Sequence, residues 1–162
     1  RVRTYGGVSV ALVDLSGCLD ERQLPLDEVI GRAFADIDLS RELPIVTGYA
    51  QCRAVLMGTY DRGYSEVVLS RVAVVTEARE AIIHKEFHLS SADPRAVGLE
   101  SVRVLRETNY YVAAQLSDMG MEAIHPRAAT SPRQARIPLR VKYAFEPAPY
   151  GPVLRTSNPP AA

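Results

Sequence analysis

An arginine, a glycine and a hydroxyl placed just ahead of an apolar run make a place for an anion. In Asp61-Arg62-Gly63-Tyr64-Ser65-Glu66, Ser65 is the expected N-cap of a helix that runs through about Thr76. The unpaired N–H groups and partial positive charge of such a terminus attract negative ligands. Arg62, three residues ahead of that cap, carries the planar fork that grips a carboxylate with two hydrogen bonds. Gly63 lets backbone approach a ligand closely. Taken alone, the same residues also read as a solvated arginine and an ordinary helix cap.

A second constellation is His84-Lys85-Glu86-Phe87-His88. On a helix, His84 and His88 would present both imidazoles on one face, as a metal site requires. The glutamate falls one position too late for H-E-x-x-H, and the run follows a strand-like segment without capping signals. Loop or partly buried histidines are the plainer reading, and His125, just before Pro126, reads as a structural strand end.

These residues need a scaffold, and the chain alternates strand-like with helix-like segments. Val8 to Asp14 is an apolar, β-branched run ended by Ser16-Gly17, as in a buried strand. Leu26 to Ile37 places Val29, Ile30, Ala33, Phe34 and Ile37 at helical spacing, with Asp27 and Glu28 in the first turn. Pro44 to Gly48 and Glu80 to His84 read as short strands. Thr108 or Asn109 caps a helix to Met119, with Gly120 just past its end. Met121 to Ile124 then returns as strand, Arg127 to Gln134 forms a short helix or turn, and Ile137 to Lys142 alternates like a half-exposed strand. Such a succession predicts an α/β fold, a three-layer αβα sandwich with a mainly parallel sheet. Ligands then collect at the carboxyl ends of strands, in the loops after Gly48, before Ser65 and after His84. The proline-rich stretch from Pro147 to Ala162 is expected to fray, which bounds a domain over 1–154 and a disordered tail over 155–162.

Composition agrees with one globular domain: 47% of the 162 residues are hydrophobic and 23% charged. Nineteen basic residues offset nineteen acidic ones, leaving no net field for a nucleic acid. No apolar run is long enough for a membrane span. Cys18 and Cys52 are far apart with no C-x-x-C, as expected of reduced thiols in a cytoplasmic protein.

Together, Arg62-Gly63-Tyr64-Ser65-Glu66, Asp93-Pro94-Arg95, Gly120 to Arg127 and Ile137 to Lys142 resemble, in order and separation, the second half of the catalytic domain of aspartokinases. These members of the amino acid kinase family phosphorylate a carboxylate with ATP. The resemblance spans roughly Val8 to Leu154 and is strongest from Pro44 to Pro147. The family motif G-R-G-G-S-D implies that Arg62, with Gly63 and Ser65, binds the carboxylate of L-aspartate. Ser65 and Glu66 would lie beside the transferred phosphate and its Mg2+, with Glu66 replacing an aspartate.

The nucleotide side departs further. Aligned with T-D-V-D-G-x-Y-T-A-D-P-R, the chain has His84, Lys85 and Ser90 at the first three ATP contacts, and Arg95 alone is unchanged. Glu122 stands where the family has a lysine, and Lys85 would supply the charge lost there. The whole pattern looks like the specialised aspartokinases associated with ectoine biosynthesis.

Tyr5-Gly6-Gly7-Val8-Ser9-Val10 imitates the family's opening K-F-G-G-T-S-V. It has Thr4 for the lysine, and too few residues separate it from Thr47-Gly48, so it reads as a mid-domain strand. The resemblance therefore implies a fragment that is inactive without an amino-terminal half and that is a homo-oligomer when full length. Its exposed sheet edge and apolar faces predict association in isolation. The competing reading is a degenerate kinase-like domain that binds a ligand or partner without catalysis.

Overall fold

The computed structural model describes residues 3–5, 7–16, 24–50, 63–119, 124–145 and 153–155. Arg62, Gly120, Glu122, Cys18 and Cys52 lie outside them, as do Met121 to Ala123 of the strand expected to reach Ile124, which is itself a buried bend, and all of the tail after Arg155.

The described chain forms β1 (Arg3–Tyr5), β2 (Val8–Val13), α1 (Leu26–Phe34), β3 (Glu42–Val46), α2 (Tyr64–Val75), β4 (Ala81–Lys85) and a short α3 (Pro94–Val97). After a 3-10 turn at Leu99–Ser101 come β5 (Glu107–Asn109), α4 (Tyr110–Asp118), α5 (Pro126–Ala135), β6 (Leu139–Tyr143) and β7 (Val153–Arg155). The fold is mixed α/β. Parallel pairing joins β2 with β3, β4 with β6 and β5 with β7, while β1 with β2 and β6 with β7 are antiparallel. Among the described residues the strands are ordered β1-β2-β3 and β4-β6-β7-β5.

Helix α2 is the wall between the two. Its Val68 and Val72 join Val13, Leu15, Val29, Ile30 and Ala50 in one apolar cluster. Its Val67 and Ala73 belong to another, with Ile83, Leu89, Tyr110, Ala113, Leu139, Val141 and Leu154. Burial on two faces explains why α2 reads as an apolar run rather than a striped helix. Ile30 is fully buried in α1, and truncating such a side chain to alanine costs roughly 2–5 kcal/mol. Arg71 of α2 ties the helices together: its guanidinium pairs with both oxygens of Asp27 on α1 and donates to Ser131 Oγ of α5 at 3.0 Å. Small Ala128 and Ala129, buried beside Val67, let α5 lie close to α2.

Several boundaries move for physical reasons. Helix α1 ends at Phe34 because the Ala35 and Ile37 amides bond three residues back, to Arg32 and Phe34, tightening the last turn. Asn109 caps α4, accepting from Val112 N at 2.9 Å. The stretch from Pro147, expected to fray, contributes β7, where Val153 and Leu154 are buried between β5 and β6. No helix among the described residues is long and apolar enough to cross a membrane.

Large apolar side chains of β2 and β3 are exposed. Leu12, Leu43 and Ile45 are each more than half exposed, and Leu12 pairs with Ile45 in the β2–β3 register.

Candidate active site

Three segments meet at the first turn of α2. The first is the end of β3. Thr47 Oγ1 accepts from Leu15 N at 2.9 Å and donates to the Tyr49 carbonyl at 3.0 Å, locking the chain as it leaves the sheet. Gly48 then passes so close to α2 that a Cβ there would lie 2.8 Å from Ser65 Cβ. Tyr49 stacks on Tyr64, with ring centroids 5.7 Å apart.

The second is the end of β4, where the Lys85 ammonium pairs with Glu66 Oε1. The third is the start of α5: the His125 N–H donates to Glu66 Oε2 at 2.9 Å. Both oxygens of the Glu66 carboxylate are therefore engaged by protein groups.

The cap of α2 is Gly63, not Ser65. Its φ of 74° is left-handed, a conformation glycine enters without a steric penalty, and the helix begins at Tyr64. Ser65 is thus the second helical residue and is exposed. Its amide, with those of Tyr64 and Glu66, falls among the first helical N–H groups, which lack intrahelical partners.

Of the residues singled out by sequence, Gly63, Ser65, Glu66 and Lys85 come together here. His84 precedes Lys85 on β4 and is exposed; neighbouring strand residues face opposite sides. Ser90 is buried, and its hydroxyl donates to the Ala92 carbonyl at 2.8 Å. Arg95 lies on α3, exposed, with Nε 3.3 Å from Asp93 Oδ1. Asp93 caps that helix, and the Arg95 amide bonded to it holds its carboxyl below the usual range.

His84 and His88 do not share a helix face. One is on β4 and the other in the following loop, with its ring 5.1 Å from Tyr143. Among the described residues no group of three or more His, Cys, Asp or Glu could hold a metal ion.

Sequence reasoning missed two contributors. Gly48 carried a signal, a glycine ending a strand, but not its contact with Ser65. His125 gave none, since its partner Glu66 is 59 residues away.

No protein-family model matches the chain. It is 57% identical over 141 residues, 87% of its length, to aspartate kinase Ask_Ect of Stutzerimonas stutzeri, of which it covers 30%. It is 31% identical over 140 residues to the aspartokinase of Candida albicans, covering 25% of that protein. Among solved structures, E. coli aspartokinase III in complex with aspartate and ADP superposes on 94% of the chain with a TM-score of 0.67 at 15% identity; the chain covers 36% of it. UMP kinase from Bacillus anthracis superposes on 91% with a TM-score of 0.60 at 15% identity, and 58% of that chain is covered. These two establish the shared fold. The 57% identity says more: the chain is a partial aspartokinase, a member of that family spanning 30% of the length of its Stutzerimonas relative.

Proposed function

We propose that this chain is part of an aspartate kinase, which transfers the γ-phosphoryl group of ATP to the side-chain carboxylate of L-aspartate, giving 4-phospho-L-aspartate and ADP. A carboxylate oxygen attacks the γ-phosphorus as the bond to the ADP oxygen breaks, so the protein's work is positioning and charge stabilisation. The observation that carries this reading is the convergence of the α2 first turn, the β4 end and the α5 start on Glu66. That convergence places a helix N-terminus and an ammonium group side by side, where negative charge is best stabilised.

In this reading Arg62 grips aspartate with Gly63 and Ser65, while Ser65 and Glu66 order the transfer site. Arg95, Lys85, His84 and Ser90 form the nucleotide side, and magnesium arrives with ATP and offsets phosphate charge. Lys85 then has a double task, because it already neutralises Glu66. The likeness to Ask_Ect and the pattern around Tyr64 and His84 favour a role in ectoine biosynthesis over lysine or threonine biosynthesis. The enzyme acts in the cytoplasm as a homo-oligomer.

One observation favours the second reading, a kinase-like domain that binds without catalysis: each oxygen of the Glu66 carboxylate already has a partner within the protein. Titrating the full-length gene product with ATP and magnesium separates the two. Saturable binding with aspartate-dependent ADP release supports the kinase, and absence of nucleotide binding rejects it.

A further inference from the structure

We propose that His125 is a positioning residue for the amino-acid end of the site, acting through the first turn of α2; this rests on the aspartate kinase reading above. The His125 side chain sits directly against Gly63. A Cβ built there would be 2.6 Å from His125 Cβ and 2.7 Å from both Cγ and Cδ2. The ring of residue 125 therefore fills the space where residue 63 would carry a side chain, and it abuts a backbone held at φ 74° and ψ 10°. Gly63 directly follows Arg62 in the chain, so the ring bears on the backbone next to the residue that the reading above assigns to the aspartate carboxylate.

His125 reaches α2 from a fixed base. It is the N-cap of α5, with Nδ1 accepting from Arg127 N at 3.3 Å and its carbonyl accepting from Ala128 N at 2.9 Å. Helix α5 is packed on α2 through Ala128 and Ala129. The same residue holds the other end of the turn, since its backbone N–H donates to Glu66 Oε2. That second contact survives substitution of the side chain, so changing the ring disturbs Gly63 while leaving Glu66 with its amide donor. The expected consequence is confined to amino-acid affinity.

The test is steady-state kinetics of the full-length gene product, unmodified and as His125→Ala, His125→Phe, His125→Asn and Gly63→Ala. His125→Ala should raise KM for aspartate at least tenfold, with KM for ATP within twofold and kcat within threefold. Gly63→Ala should follow it. His125→Phe keeps a ring over Gly63 and should stay within threefold of the unmodified protein in every constant. The inference is overturned if His125→Ala leaves KM for aspartate within twofold or raises both KM values alike. It is also overturned if His125→Asn, which retains a capping side chain, rescues the enzyme while His125→Phe does not.

A wild-type protein that phosphorylates no aspartate removes the kinase reading instead. The positioning role is then read from hydrogen exchange of the Val67 amide, which bonds the Gly63 carbonyl at 3.1 Å. Exchange accelerated tenfold by His125→Ala but not by His125→Phe supports it, and unchanged exchange refutes it.

Discussion

Lys85 and Glu66, 19 residues apart, meet in an ion pair that ties the end of β4 to the first turn of α2. Their side chains are only 23% and 14% exposed, so the pair is shielded more than a surface bridge, and the second carboxylate oxygen is satisfied by His125 N. Ends of two elements are thus held at one point by a charge pair that the surrounding protein partly desolvates.

Breaking that pair leaves a partly buried charge without its partner. Lys85→Met and Glu66→Gln should each lower unfolding free energy by about 1–3 kcal/mol. The double variant should lose less than the sum, with a coupling of roughly 1 kcal/mol. Urea denaturation of the four proteins in a cycle measures this, and strict additivity would show that the contact carries no stability.

Tyr110 supplies an alkaline prediction. Its hydroxyl donates to the Ile137 carbonyl at 2.6 Å, and burial pushes its pKa up to about 12 from the ordinary 10. A buried neutral phenol with a raised pKa stabilises the fold fully below pH 10, and that contribution is lost as pH rises towards about 12. Tyr110→Phe should therefore cost about 1–2 kcal/mol near neutrality, because a buried carbonyl loses its donor. Its unfolding free energy should then fall less steeply than that of the unmodified protein above pH 10, as followed by urea midpoints across that range.

The exposed apolar residues of β2 and β3 predict behaviour in solution. Leu12 is 68% exposed and Ile45 54%, adjacent across the parallel register, and such apolar surface drives association. The 162-residue chain on its own should sediment as oligomers at tens of micromolar. Leu12→Lys with Ile45→Lys should shift it towards monomer by sedimentation velocity. A monodisperse unmodified monomer would contradict this.

Much of the scaffold was legible from local pattern. The β-branched run after Gly7, the spacing of Val29, Ile30 and Ala33, and the Asn109 cap each encode an element through nearby residues alone. What was not legible came from distant partners. Ser65 has the chemistry of an N-cap, yet Gly63 takes that role, in a left-handed conformation directly against His125. The prolines after Pro147 signal loop, yet Val153 and Leu154 find strands on both sides that supply hydrogen bonds and burial. The engagement of Glu66 by Lys85 and His125 depends on three elements closing on one point. Ser90 shows the converse: alignment puts it among nucleotide contacts, whereas its burial and its bond to the Ala92 carbonyl are tertiary facts.

In the aspartate kinase proposed above, Arg62 holds the carboxylate of the amino-acid substrate. The full-length gene product, incubated with L-aspartate, ATP and magnesium, should form an acyl phosphate that hydroxylamine traps as aspartyl hydroxamate. Arg62→Ala should reduce kcat/KM for aspartate at least a hundredfold while leaving nucleotide binding within threefold, since a lost bidentate carboxylate contact is worth about 3 kcal/mol or more. Normal turnover by that variant, or no hydroxamate from the unmodified enzyme, would contradict the account.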